Sequence, residues 1–337
     1  MASISDIVED HRWLPHRLDA ARGSIEFVRI DRVGHRSVTF LEDQYFVEDI
    51  DRQRFPISQV LSAIRGLPEA PLHFIFHSSM ALSTLAARLF DLPGTAMALK
   101  EPIILNDLAN MVRDRRPVQP LLDPILRLLG RPFGSGEAVV IKPGNVANVL
   151  MPAVMTVRPE ARALCLYAPL RAFLRSVAKK GMFGRVTYRR YFGLARRDGL
   201  LNTGFSEQDM FEQTDLQIAA MVWLNAHARF LQLARQFGSR VRTSDSETIL
   251  GRREHAIGAL GKHFRLQLDA PAIVAGPLFS QHSKELGRAF DADQRQREHE
   301  ATTLAHGEEI EMVAGWAAKV AEHVGVPLDL PQPLLAP

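Results

Sequence analysis

Cysteine is almost absent from this chain of 337 residues, since Cys165 is the only one. A disulfide within the chain is therefore impossible, and a reducing compartment fits the sequence. Apolar runs are short too, and none approaches the roughly 20 residues that span a bilayer. The first residues, MASISDIVEDHRWLPHRL, contain no apolar segment of the kind that directs secretion. These absences predict a soluble, cytoplasmic protein without a transmembrane segment.

An excess of charge of one sign is lacking as well. The 41 lysines and arginines nearly balance the 38 acidic residues, which leaves a formal net charge of +3. The exception is RVTYRRYFGLARR, residues 185–197, where aromatic residues are interleaved with arginines. Such a run can bind an anionic acceptor or nucleic acid, but it is more often an exposed helix face. We therefore expect no nucleic-acid partner, and the sequence makes no prediction about oligomeric state.

The patterns that are present interleave strands with helices. Short apolar runs between turn residues predict strands at 72–76, 95–100, 138–142, 162–167 and 239–243. Helical periodicity predicts helices at 57–65, 83–90, 105–113, 121–129, 146–157, 170–180, 208–237 and 246–264. Two β-rich segments, 25–30 and 37–41, flank RVGHR and predict a hairpin. This alternation favours an α/β fold with a parallel sheet in a three-layer αβα arrangement.

One segment in the first third of the chain predicts an anion site. In HFIFHSSMALSTLAARLF, residues 73–90, an apolar run ends in a cluster of small hydroxyl residues, Ser78, Ser79, Ser83 and Thr84, and a helix follows. A helix start presents backbone N–H groups without intrahelical partners, which suits a phosphate-sized anion. The segment lacks the GxxxxGK[ST] pattern of nucleoside-triphosphate sites, so an ordinary ATPase is not indicated.

Other polar residues follow the predicted strands. Lys100 and Glu101 end the second strand, Lys142 ends the third, and the turn at 167–176 follows the fourth. Because ligands bind at the carboxyl ends of the strands in such sheets, we expect these residues and the anion loop to form one site.

Four segments, in this order, resemble the P-loop sulfotransferase superfamily. HSSMALSTLAAR is similar to its 5′-phosphosulfate loop, and VVIKPGNVANVLMPAVMTVRPEARAL resembles its strand, lysine, proline and helix. LYAPLRAFLRSVAKKG stands where the family has its 3′-phosphate site, and VRTSDSETIL stands at its late strand and acidic turn. The likeness spans roughly residues 72–264, is closest to divergent bacterial members, and has a weaker echo in FSQHSK near the C-terminus.

The resemblance implies a single sulfotransferase-like domain over residues 1–337. It comprises a β-hairpin extension (1–66), a P-loop core (67–270) and a C-terminal helical lid (271–337). The implied reaction moves a sulfuryl group from 3′-phosphoadenosine 5′-phosphosulfate to a hydroxyl or amine of a small-molecule, lipid or glycan acceptor, without a metal. The implied donor-binding residues are Ser78, Ser79, Ser83, Thr84, Lys100, Arg171, Arg175, Ser176 and Lys284.

Three catalytic residues are predicted. Lys142 would stabilise charge on the leaving phosphate oxygen. Glu101 would accept the proton of the acceptor, as a glutamate does in some relatives, and His77 is the rival base.

The chain departs from the family pattern at three places. Met80 lies near the usual lysine or arginine of a loop that here lacks its glycine. The arginine of the 3′-phosphate turn is missing, and Gly144 replaces the histidine that many soluble members use as base.

These departures leave two alternatives open. One is a P-loop kinase or NTP-binding protein, which needs a loop lysine and an acidic Mg²⁺ ligand. The other is a relative that binds nucleotide without catalysis.

Overall fold

The computed structural model describes residues 3–199, 201–279 and 292–336. The strands are β1 (Trp13–Asp19), β2 (Ser24–Arg29), β3 (Arg52–Pro56), β4 (Leu72–His77), β5 (Ala96–Lys100), β6 (Ala138–Lys142), β7 (Ala163–Tyr167) and β8 (Val241–Asp245). The helices of the first half are α1 (Ile4–Glu9), α2 (Arg32–Ser37), α3 (Ile57–Ala63), α4 (Ser83–Arg88), α5 (Ile104–Arg113), α6 (Gln119–Leu129) and α7 (Met151–Val157). Those of the second half are α8 (Leu170–Lys179), α9 (Gly181–Asp198), α10 (Glu207–Glu212), α11 (Asp215–Phe237), α12 (Ser246–Gly251), α13 (Arg253–Phe264), α14 (Ala270–Ala275) and α15 (Ala292–His323).

The larger sheet has the strand order β5-β6-β4-β7-β8 and is flanked by helices. Every residue of β4, β5, β6 and β7 is buried, which is the pattern of parallel strands covered on both faces. The register pairs β5 with β6 and β4 with β6 in parallel. The predicted α/β fold with a parallel sheet is confirmed, and all five predicted strands are present.

The chain forms two compact units. The first contains residues 3–76, 83–164 and 257–279, and the second contains residues 77–82, 165–199, 201–256 and 292–336. The predicted boundaries at residues 66 and 270 stay a prediction.

The N-terminal sheet is antiparallel, with β2 between β1 and β3. The prediction of a hairpin here is correct in kind, but its pairing is wrong. RVGHRS forms helix α2, which begins where the Asp31 side chain accepts a hydrogen bond from the N–H of Gly34. Residues 37–41 form no strand, because β1 and β3 already occupy both edges of β2.

Helix ends explain where two predicted helices differ from the observed ones. A capping box of Ser206 with Asp209 starts α10. A second capping box, of Thr214 with Gln217, starts α11, so the predicted helix 208–237 is two helices. The predicted helix 146–157 begins as a 3₁₀ segment, Asn145–Leu150, before α7. Within the described ranges, no helix has both the length and the apolar character that crossing a membrane requires.

Candidate functional site

A buried ion pair lies at the carboxyl ends of β5 and β6. The Lys142 ammonium donates to Oε1 of Glu101, and the N–H of Glu101 donates to the Lys142 carbonyl at 2.7 Å. The Lys142 side chain is 1% exposed and that of Glu101 is 16% exposed. Burial lowers the pKa of Lys142, although the Glu101 carboxylate opposes the shift. Both residues were predicted for the site, but no sequence pattern indicated that they pair directly.

The Glu101 carboxylate also lies beside Gly144. A Cβ placed on Gly144 would be 3.2 Å from Oε2 of Glu101 and 3.4 Å from Oδ1 of Asn106. The first atom of any side chain at position 144 would therefore crowd these oxygens. The family that this chain resembles has a histidine at the position of Gly144. This chain has the glycine there, with the Glu101 carboxylate beside it.

Segment 38–42 completes this cluster, although no sequence pattern predicted it as part of the site. The N–H of Leu41 donates to the Lys100 carbonyl at 2.8 Å, so the segment runs along the end of β5. The Lys142 ammonium lies 4.9 Å from the ring centroid of Phe40, a cation–π distance. Burial raises the pKa of Glu42, and the nearby Glu101 carboxylate raises it further. No motif marks Phe40 or Glu42, because the path of the chain after α2 brings them here.

Lys100 is held by the backbone of the segment after α2. Its ammonium donates to the carbonyls of Arg36 and Val38, and the residue is 3% exposed. Burial and the neighbouring Arg88 lower the pKa of Lys100 to about 8. The ammonium predicted to touch phosphate thus binds two backbone carbonyls.

Ser83 and Thr84 begin helix α4 and are buried. No described residue forms a hydrogen bond with either hydroxyl. Helix α4 has only six residues, shorter than the predicted 83–90.

The loop after β4 belongs to the second unit, and hydrogen bonds from its backbone and from Tyr188 hold it in place. The N–H of Ser79 donates to Nδ1 of His77 at 3.1 Å, and the N–H of Ser78 donates to the Leu166 carbonyl at 3.1 Å. The Tyr188 hydroxyl bonds Oγ of Ser79 at 3.1 Å. Tyr188 is fully buried, and this burial raises the pKa of its phenol. The sequence placed Tyr188 in a basic run but did not indicate that it supports the predicted anion loop.

Three non-glycine residues of this loop have left-handed backbone conformations. The φ angles are +69° at Ser79, +52° at Met80 and +56° at Leu82. Such conformations cost about 1–3 kcal/mol each and concentrate at functional sites. The glycine that the resembling family has in this loop would relieve part of that strain.

We expect the free energy of unfolding of Met80→Gly to be about 1 kcal/mol higher than that of Met80→Ala. Both variants lose the methionine side chain, but only glycine removes the Cβ that disfavours φ near +52°. Chemical denaturation of both variants measures the difference. An alanine variant as stable as the glycine variant would contradict backbone strain at this position.

Helix α8 carries the residues predicted for the 3′-phosphate. Arg171 is 58% exposed and pairs with Glu311 of α15 at 2.9 Å. Arg175 is half-buried, and its Nε is buried without a hydrogen-bond partner among the described residues. The Ser176 hydroxyl donates to the Ala172 carbonyl at 2.9 Å, one turn back along the helix. The predicted Lys284 lies outside the described residues, as does the rest of the FSQHSK echo after Phe279.

The basic run forms most of helix α9. Arg185 and Arg189 pair with Asp215 of α11, and Arg196 pairs with Glu207. These arginines therefore contribute to contacts within the second unit. In the described part of the chain, no group of three or more His, Cys, Asp or Glu side chains is placed to hold a metal ion. The expected metal independence stays a prediction.

Comparison with known proteins gives one weak likeness. No family model and no curated protein matches the chain. A solved structure to which it is similar is a sulfotransferase domain from the curacin biosynthetic pathway, at 12% sequence identity and a TM-score of 0.41. The similarity covers 78% of this chain and 99% of that domain. A likeness of this size assigns no family and carries no argument about function.

Proposed function

We propose that the protein is a sulfotransferase that uses 3′-phosphoadenosine 5′-phosphosulfate and a hydroxyl or amine acceptor. The observation that carries the proposal is the Glu101 carboxylate, which pairs with the buried Lys142 and lies where a side chain on Gly144 would begin. A proton acceptor and a cation are the two groups that sulfuryl transfer requires. The acceptor would be a small molecule, a lipid or a glycan.

The bound donor would supply the activated sulfuryl group. Glu101 would accept the proton of the acceptor hydroxyl as the bond from acceptor oxygen to sulfur forms and the bond from sulfur to phosphate oxygen breaks. Protonation of Glu101 would remove the counter-charge of Lys142. The ammonium would then be available to hydrogen-bond the leaving phosphate oxygen, so proton transfer and charge stabilisation would be coupled.

The residues fit such a donor unequally. Ser83 and Thr84 are buried residues at the start of α4, and their hydroxyls are the groups that would bind the 5′-phosphosulfate. For the 3′-phosphate, Arg175 fits better than Arg171, because Arg175 has an unpartnered buried nitrogen whereas Arg171 is neutralised by Glu311. A charge-assisted hydrogen bond from Arg175 would satisfy that nitrogen.

Calorimetric titration with 3′-phosphoadenosine 5′-phosphate tests the proposal, with AMP and ATP plus Mg²⁺ as comparison ligands. We expect the bisphosphate to bind most tightly and Arg175→Gln to weaken it by about tenfold or more. Arg171→Gln is the matched control on the same helix and should leave binding nearly unchanged. If ATP plus Mg²⁺ binds and the bisphosphate does not, the kinase class would be favoured. If Arg175→Gln and Arg171→Gln lose the same affinity for the bisphosphate, the role of Arg175 would be contradicted.

Catalysis requires a second measurement. With labelled donor and a mixture of phenols, amines and sugars, we expect Glu101→Gln to slow transfer about 10²–10⁴-fold without loss of bisphosphate binding. His77→Gln tests the rival base in the same assay. Bisphosphate binding without transfer in the wild type would identify the non-catalytic alternative.

A further inference from the structure

A cavity in the first unit has a lining that does not include Lys142 or Glu101. Its volume is about 530 Å³, within the range of about 300–1,000 Å³ typical of small-molecule pockets. Its apolar wall includes Leu89, Leu92, Ile273 and Leu278, from the end of α4, the loop before β5, α14 and the turn after it. Two arginines, Arg36 and Arg88, also line it.

Arg88 is the unusual member of this lining. None of the residues that the structure describes forms a hydrogen bond or an ion pair with its guanidinium, and one terminal nitrogen is buried without an acceptor. Burial disfavours the charged form and lowers the pKa of Arg88. A guanidinium has five N–H donors, and a buried donor without an acceptor destabilises the folded chain.

The two acidic side chains near Arg88, Asp91 and Asp269, already form ion pairs or hydrogen bonds with other groups. Asp91 lies 3.3 Å from Nε of Arg36 and 3.8 Å from a terminal nitrogen of Arg32, so two arginines share its charge. Asp269 caps α14 by accepting from the N–H of Ala272 at 3.0 Å. Lys100 is a further positive charge nearby, and the Arg88 charge lowers its pKa. Asp91 and Asp269 line the cavity together with Arg36 and Arg88, and the Asp91 charge acts on Arg88 through space. Among the described residues, however, no carboxylate lies within ion-pair distance of the Arg88 guanidinium, so its buried nitrogen is left for a ligand.

We infer that this cavity binds an amphipathic anion, a molecule with an apolar chain and a single anionic head group. The head group would lie against the Arg88 guanidinium, and the chain would cover the leucines and Ile273. An apolar lining with a small number of precisely placed polar or charged groups is the usual composition of such pockets. Carboxylate and sulfate heads share this chemistry, and the site is independent of the proposed transfer reaction.

Calorimetric titration of the whole chain with sodium decanoate, below its micelle concentration, tests the inference. We expect saturable binding of one molecule, no saturable binding of decanol, and a comparison with decyl sulfate that ranks the two head groups. Arg88→Gln should weaken decanoate binding by about tenfold or more. Arg65→Gln, which changes an exposed arginine of the same unit, should leave it unchanged.

A second variant locates the binding. Ile273→Trp fills the cavity and should abolish decanoate binding while thermal unfolding stays cooperative. Equal binding of decanol, equal affinities of the Arg88 and Arg65 variants, or unchanged binding in Ile273→Trp would each overturn the inference. So would absence of binding together with a lower melting temperature of Arg88→Gln, because Arg88 would then have its acceptor within the chain.

Discussion

Replacing Glu101 by glutamine is expected to lower the free energy of unfolding by about 3–5 kcal/mol at pH 7. The change keeps the shape of the side chain but leaves the Lys142 ammonium, only 1% exposed, without its counter-charge. Removing one member of a buried ion pair is costly because the other charge stays desolvated. Urea denaturation of the wild type and the variant measures the loss.

The double variant Glu101→Gln, Lys142→Met separates this cause from lost packing. It removes both charges, so we expect it to be more stable than Glu101→Gln alone. Glu311→Gln is the matched control, because its pair with Arg171 is about 60% exposed on both sides and should contribute at most about 1 kcal/mol. A double variant no more stable than Glu101→Gln would show that the buried charge is not the cause.

The second large effect is a rise in stability at alkaline pH that depends on Lys100. Its pKa is about 8 in the folded chain, against 10.5 for an unperturbed lysine. Between these values the unfolded chain binds a proton that the folded chain has released, so the free energy of unfolding increases with pH. At about 1.4 kcal/mol per pKa unit, the full rise is roughly 3 kcal/mol. Below pH 8 both states are protonated and the penalty is fully present.

Denaturation at pH 7, 8, 9 and 10.5 tests this, with Lys100→Met as the comparison. We expect the stability of the wild type relative to Lys100→Met to increase across this range, because the variant has no ammonium to deprotonate. Lys262→Met, at an exposed lysine, should keep the pH dependence of the wild type. Parallel curves for wild type and Lys100→Met would contradict the shifted pKa.

Local sequence patterns predicted the sheet well because its strands carry their own signal. The predicted strand 138–142 agrees with β6 at both ends, and the fully buried β4, β5 and β7 were each predicted to within one residue at either end. The same reasoning was wrong about residues 37–41, whose β-rich composition resembled a strand. Strand pairing depends on which partners are already occupied, and both edges of β2 are taken by β1 and β3.

The candidate site divides in the same way. Glu101 and Lys142 follow strands, so their positions at the sheet edge were predictable from the strand pattern and the rule for parallel sheets. Phe40, Glu42 and Tyr188 were not predicted as site residues. Phe40 lies at a cation–π distance from Lys142, Glu42 interacts electrostatically with Glu101, and Tyr188 hydrogen-bonds Ser79 of the strained loop.

The sequence by itself determined the alternation of strands and helices, and with it the edge of the sheet where charged residues collect. Hydrophobic periodicity and capping residues act over a few positions, so they can be read locally. Only the tertiary structure decided that Lys142 is neutralised by Glu101, that Lys100 is held by backbone carbonyls, and that Arg88 lines a cavity without a described partner. Burial and the pairing of charges are properties of the surroundings, and those are set by residues far away in the chain.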